Sequence, residues 1–141
     1  MECEFPTVNE NPDEFREIFE SVKTIAVPGL SPKEDKPSHR VAKYLQEQGY
    51  KIIPIYPKGD EILGEKVYRS LLDIEERVDM VDMFRKAEVA HEIVDAIEKR
   101  GDVKVLWLQE GIVNNEAAKR AKELGLKVVQ SRCAMVEHKR L

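Results

Sequence analysis

A doubly wound α/β fold is what this sequence predicts, and three observations predict it. Five short apolar or β-branched runs recur about 25 residues apart. Most are separated by a stretch whose apolar residues fall at helical spacing. Glycines close several of those stretches shortly before the next run begins. Right-handed crossovers turn such a βαβ rhythm into an open sheet covered on both faces. The expected arrangement is therefore Rossmann-like: a five-stranded, mainly parallel sheet of order 3-2-1-4-5, forming a single domain over residues 1–141.

The elements follow in order. Residues 1–22 read as an N-terminal extension and a docking helix. Asn11-Pro12-Asp13-Glu14 offers an N-cap, a proline at the first helical position and a glutamate placed for a capping box. Phe15, Ile18, Phe19 and Val22 then share one face. Thr24–Val27 is the first strand, and Val41, Ala42, Tyr44 and Leu45 line a helix that stops at Gly49. Lys51–Ile55 is the second strand, with Pro54 restricting which ladder bonds its end can make. Gly59–Arg77 is the weak connection, with a short extended piece at Glu65–Tyr68 and one helical turn near Ser70–Ile74. Val78–Phe84 is the third strand, and Ala90, Ile93, Val94 and Ile97 line a helix closed by Lys99, Arg100 and Gly101. Val103–Leu108 is the most continuously apolar run and reads as the central strand. Ala117, Ala118, Ala121 and Leu124 make the last helix, ending at Gly125 before a fifth strand at Lys127–Val129.

Composition narrows the function. The chain has 141 residues, 42% of them hydrophobic, which is enough for a real core. Its 23 basic and 27 acidic residues leave a formal net charge of -4, against a nucleic-acid binder. Charged residues make up 35%, a density common in thermophile proteins. Cys3 and Cys133 lie far apart, without the spacing of a metal site or of a disulfide-rich scaffold. With no apolar leader and no run long enough to span a bilayer, the chain reads as soluble and cytoplasmic, with no membrane partner.

In open α/β sheets ligands bind beyond the carboxyl ends of the strands, where the connections switch direction. The segment after the first strand, Pro28–His39, carries most information there. Gly29 lets the chain turn tightly, Ser31 and Ser38 supply hydroxyls, and Lys33, Lys36 and Arg40 supply charge. Ser38 is placed to cap the next helix, whose N-terminus suits an anion. Three prolines (Pro28, Pro32, Pro37) stiffen the loop into a cradle for a diphosphate. The G-x-G-x-x-G fingerprint of dinucleotide sites is absent, because Gly29 stands alone. After the second strand the chain carries Tyr56-Pro57-Lys58, where an NAD site wants an acid for the ribose hydroxyls. A lysine there suits a ribose phosphate instead, as found in NADP and in coenzyme A.

The ordered set of segments resembles the small CoA-binding protein family, whose single domain is similar to the N-terminal domain of the succinyl-CoA synthetase alpha subunit. The resemblance runs from about Val22 to His138. It rests on Gly29–Ser31, Pro37-Ser38 with Arg40-Val41, Tyr56-Pro57, Leu63-Gly64, Val81–Arg85, Trp107–Gly111, Arg132-Cys133 and Glu137-His138. It implies coenzyme A as the ligand. Gly29, Leu30, Ser31, Lys36, Ser38, Arg40 and Val41 would line the phosphate and pantetheine path. Tyr56, Pro57 and Lys58 would border the 3′-phosphate, with Phe84 and Arg85 as the neighbouring wall. Gln109, Glu110 and Gly111 would stand at the mouth, where the thiol emerges. The synthetase subunit is richer in glycine along its first loop than this chain.

Catalytic signals are sparse. His39 reads as a surface residue or a ligand contact, His91 as solvated, His138 as structural and Trp107 as core. Asp79 and Asp82 could imitate a phosphoacceptor pair, but no acidic cluster follows the first strand. Cys133 reads as a buried structural cysteine or, like Cys3, as the partner of a mixed disulfide with the CoA thiol. The ligase carries its phosphorylated histidine on a second domain and its nucleotide site on another subunit, and this chain ends where that second domain would begin. The expectation is binding of coenzyme A or an acyl-CoA without autonomous catalysis. The rivals are an NADP-dependent reductase or fragment of one, and an accessory subunit that signals CoA status to a protein partner.

Overall fold

The computed structural model describes residues 5–141. Five parallel strands form the sheet: β1 (Thr24–Pro28), β2 (Lys51–Ile55), β5 (Met80–Met83), β6 (Val105–Leu108) and β7 (Lys127–Val129). A two-stranded antiparallel hairpin, β3 (Glu61–Ile62) and β4 (Glu65–Lys66), stands apart from it. Helices α1 (Phe15–Ser21), α2 (Pro37–Glu47) and α5 (Ala134–Lys139) share one face, and α3 (Ala90–Arg100) and α4 (Asn115–Glu123) the other. Strand alternation divides the core accordingly. Ile25, Val27, Met80, Val105, Trp107 and Val129 pack toward α1, α2 and α5, whereas Ala26, Val81, Leu106 and Val128 pack toward α3 and α4. Trp107 is fully buried, with Phe15 and Phe19 each 5.3 Å from it between ring centres. Among the described residues no helix is long and apolar enough to cross a membrane.

The fold class matches the sequence expectation, but the strand order does not. The sheet runs β2-β1-β5-β6-β7, or 2-1-3-4-5 counting only its own strands, not 3-2-1-4-5. Pro54 explains the difference. Its carbonyl accepts from Tyr68 N (2.9 Å) on the outer edge of β2, the side its missing N–H would also face. That edge cannot carry a full ladder. It holds a single parallel bridge between Ile55 and Tyr68, and β4 lies beside β2 without pairing with it. The chain then passes over the α3 face, burying Leu71 and Ile74, and enters the sheet beside β1, pairing Ile25 with Met80. β5, buried along its whole length, is therefore the central strand, and β6 lies next to it.

Several boundaries move with this correction. The third strand is shorter than the expected Val78–Phe84, and the fourth begins at Val105 rather than Val103. Asn11 caps its turn by accepting from Asp13 N, but Glu14 reaches Lys127 instead of closing a capping box. Helix α5 was not expected. At the opposite edge, Asn9 and Glu10 bond along Val128 and Gln130, so the N-terminal extension covers β7.

Candidate functional site

The observed order places the switch of direction between β1 and β5: α2 carries the chain one way, α3 the other. The loops after those two strands therefore meet. Phe84 N donates to Pro28 O (2.9 Å), and Gly29 N donates to Ile55 O (2.9 Å), tying three strand ends together. Gly29 has φ 84°, and a Cβ there would lie 2.5 Å from Phe84 O. Only glycine fits this approach.

The following loop is built on its own polar groups. Ser38 does not cap α2, whose N-cap is Lys36 with no side-chain bond. Instead Ser38 Oγ accepts from Ser31 N (3.0 Å), and Ser31 Oγ accepts from Lys33 N (3.1 Å). His39 is buried rather than on the surface, with Nδ1 2.9 Å from Ser31 O. Leu30 anchors the loop in the core, while Lys33 and Lys36 remain exposed. Arg40 is exposed too and donates to Asp35 O (2.8 Å).

Beside this loop lies a cleft of about 460 Å³, lined by Pro37, Val41, Phe84, Gln109, Glu110, Ile112 and Cys133. Five of the residues singled out in the sequence, Val41, Phe84, Gln109, Glu110 and Cys133, thus come together on one wall. Ile112 was missed. Cys133 is half-buried, a free thiol rather than the buried structural cysteine of one reading. It also lines an adjoining hollow with Glu110, Ser131, Arg132 and Arg140. Cys3 lies outside the described residues. Gly111 is exposed at the rim, its N–H donating to Ser131 Oγ (3.1 Å). Tyr56, Pro57 and Lys58 stand at the end of β2, outside the cleft lining, with Pro57, Lys58 and Arg85 exposed.

Asp82 is the group that sequence reasoning undervalued. It is fully buried under Gln109, whose Nε2 donates to its Oδ1 (2.7 Å), and its Oδ2 has no hydrogen-bond partner among the described residues. Burial pushes this carboxyl up to about 7, and the bond from Gln109 offsets only part of that. Its neighbour Asp79 sits at the other end of β5 and accepts from Lys23 N and Thr24 N, so the two do not form a site. His138 packs against Phe19, Tyr44 and Tyr50 with Nδ1 2.7 Å from Tyr44 Oη, and burial lowers its pKa. Among the described residues no group of three or more His, Cys, Asp or Glu side chains is placed to hold a metal.

The chain is similar to several known proteins. A family model described as a CoA binding domain matches residues 23–139. An uncharacterized Bacillus subtilis protein, YneT, is 41% identical over 92% of this chain and 96% of its own length. An ADP-forming acetate–CoA ligase from Methanocaldococcus jannaschii is 28% identical over 79% of this chain, which spans 17% of that ligase. A hypothetical protein from Pyrococcus horikoshii OT3, of known structure, is 42% identical over 100% of this chain and 99% of its own, with a TM-score of 0.90.

Proposed function

The chain belongs to the CoA binding domain family, and from that premise we propose that it binds coenzyme A, or an acyl-CoA, along the carboxyl edge of the sheet. The observation that carries the reading is the coincidence of the switch point with the cleft. The Gly29–Ser38 loop, shaped by Ser31, Ser38 and His39, takes the diphosphate beside the uncapped start of α2. The pantetheine arm lies between Val41 and Phe84, with Gln109 as its polar contact. Tyr56, Pro57 and Lys58 border the ribose phosphate. The thiol end points toward Glu110, Gly111 and Cys133.

Binding without turnover by this chain is the fuller reading. No histidine lines the cleft among the described residues, and His39 and His138 are engaged elsewhere, with the Ser31 carbonyl and with Tyr44. Cys133 is placed for thiol exchange with an oxidised form of the ligand rather than for acyl transfer. The relationship to acetate–CoA ligases supports the ligand; the chemistry of those far longer chains is not carried over.

Thermal unfolding with CoA, dephospho-CoA, NADPH and NADH tests the proposal. A hundredfold excess over Kd adds about 2.7 kcal/mol of stability, or roughly 8 °C for a chain of this size. CoA is expected to give that shift and the nicotinamide cofactors none. Stabilisation by NADPH alone overturns the reading in favour of a reductase.

A further inference from the structure

Resting on that reading of the ligand, we infer that Arg69 is the phosphate-binding residue of its nucleoside end and the positioning residue of the loop that meets it. The argument begins with the connection that replaced a crossover helix. Tyr68 is pinned to the edge of β2 by two backbone bonds, to Pro54 O and from Tyr56 N, and this delivers Arg69 directly over the next loop. Its Nη1 donates to Tyr56 O (3.2 Å) and its Nη2 to Gly59 O (2.8 Å). Those two carbonyls bracket Pro57 and Lys58. The guanidinium therefore sits on the same turn as the lysine, at the strand end that also receives the Gly29 N–H.

Stability does not account for this arrangement. Arg69 is exposed, and water would satisfy both carbonyls nearly as well. Arg100 makes a useful contrast: it too binds backbone carbonyls, but Asp102 neutralises it at 2.8 Å. Among the described residues no carboxylate lies within ion-pair distance of Arg69. A guanidinium carries five N–H groups in a rigid plane, and the loop engages only part of them. The N–H groups left over can donate to a phosphate monoester, which a lysine alone binds only as a point charge.

The test is titration calorimetry of CoA and dephospho-CoA on the wild-type chain, Arg69→Gln and Arg69→Lys. Arg69→Gln is expected to weaken CoA binding about tenfold, as for a lost charge-assisted hydrogen bond, and to leave dephospho-CoA within about twofold. Arg69→Lys should recover part of the loss, and the unliganded melting temperature should stay within about 2 °C, as for an exposed side chain. A wild-type preference for CoA that survives Arg69→Gln unchanged overturns the inference while leaving CoA binding intact. Equal weakening of both ligands reduces Arg69 to a clamp and overturns the phosphate assignment. A wild-type chain that binds neither ligand removes the reading beneath it.

Discussion

The two edges of the sheet treat buried charge in opposite ways, and Asp79 and Asp82, three residues apart on and beside the same strand, mark the contrast. At the amino edge, Asp79 accepts from Lys23 N and Thr24 N and pairs with Arg77 at 3.1 Å. Burial works against its ionisation, yet those donors outweigh it and hold the carboxyl below its usual range. Asp102 nearby has the same outcome, with Arg100 and Val78 N as donors against burial. At the carboxyl edge, Asp82 keeps one oxygen without a partner among the described residues, and burial pushes its pKa up to about 7. Among the described residues Arg69 has no acid within ion-pair distance, and Cys133 is a free thiol on a cleft wall. One edge closes its charges with donors and cations, while the other leaves polar groups without such partners among the described residues.

The largest expected effect comes from breaking the closed edge. The Arg100 side chain is 8% exposed, and it holds the carbonyls of Leu71, Ile74 and Glu76 as well as Asp102. Arg100→Ala removes every one of these bonds, leaves the Asp102 carboxylate without its cation though still accepting from Val78 N, and should cost about 3 kcal/mol in urea unfolding. CoA affinity, measured where the variant is still folded, should change less than twofold. A parallel loss of affinity would mean that the two edges are not separable.

Next comes the open edge, where the sign reverses. The folded Asp82 carboxyl holds its proton to about pH 7. The unfolded chain releases it near pH 4, so the folded state binds the extra proton between these values and loses stability as pH rises through that window. Asp82→Asn replaces a buried charge with a neutral amide. It should raise stability by about 2 kcal/mol at pH 8, with the gain fading toward pH 5. Asp79→Asn should instead destabilise at pH 8, because its lowered carboxyl contributes stability above the unfolded value and loses it as pH falls. Unfolding of both variants at pH 5 and pH 8 measures this, and matching signs would erase the contrast.

Those differences also mark how far the sequence could be read. Periodicity and punctuation located the five strands and most helices, since a side chain’s face follows directly from its spacing. The order of strands was not legible in the same way. Pro54 signalled a defective edge, but which neighbour that edge faced depended on the whole sheet. Gly29, Val41, Phe84, Gln109 and Cys133 were identifiable because they follow strand ends or resemble a family pattern. Arg69 was not, and Asp82 was named without its buried state being legible, for opposite reasons. Arg69 acts through a connection with no regular element to place it, and an aspartate in a strand gives no sign of whether backbone N–H groups or only a glutamine will meet it. Helix α5 carries six residues, too few to show a period.

The smallest effect on stability, and the sharpest chemical readout, belongs to Cys133. It occupies the N-cap position of α5 without making a side-chain cap bond, and serine is among the preferred residues at such a position. Cys133→Ser should therefore change stability by less than about 0.5 kcal/mol, with any shift favourable. Its effect on exchange should be complete. When the disulfide of two CoA molecules is offered, the Cys133 thiolate attacks one sulfur, the bond between the two CoA sulfurs breaks, and one CoA leaves as its thiolate while the other stays bonded to the protein. Intact mass spectrometry of the wild-type chain should record one added CoA, released by a reducing agent. The adduct should persist in Cys3→Ser and vanish in Cys133→Ser. An adduct that follows Cys3 instead would take the thiol of the ligand away from the Gln109–Cys133 wall, and with it the orientation proposed for the pantetheine arm.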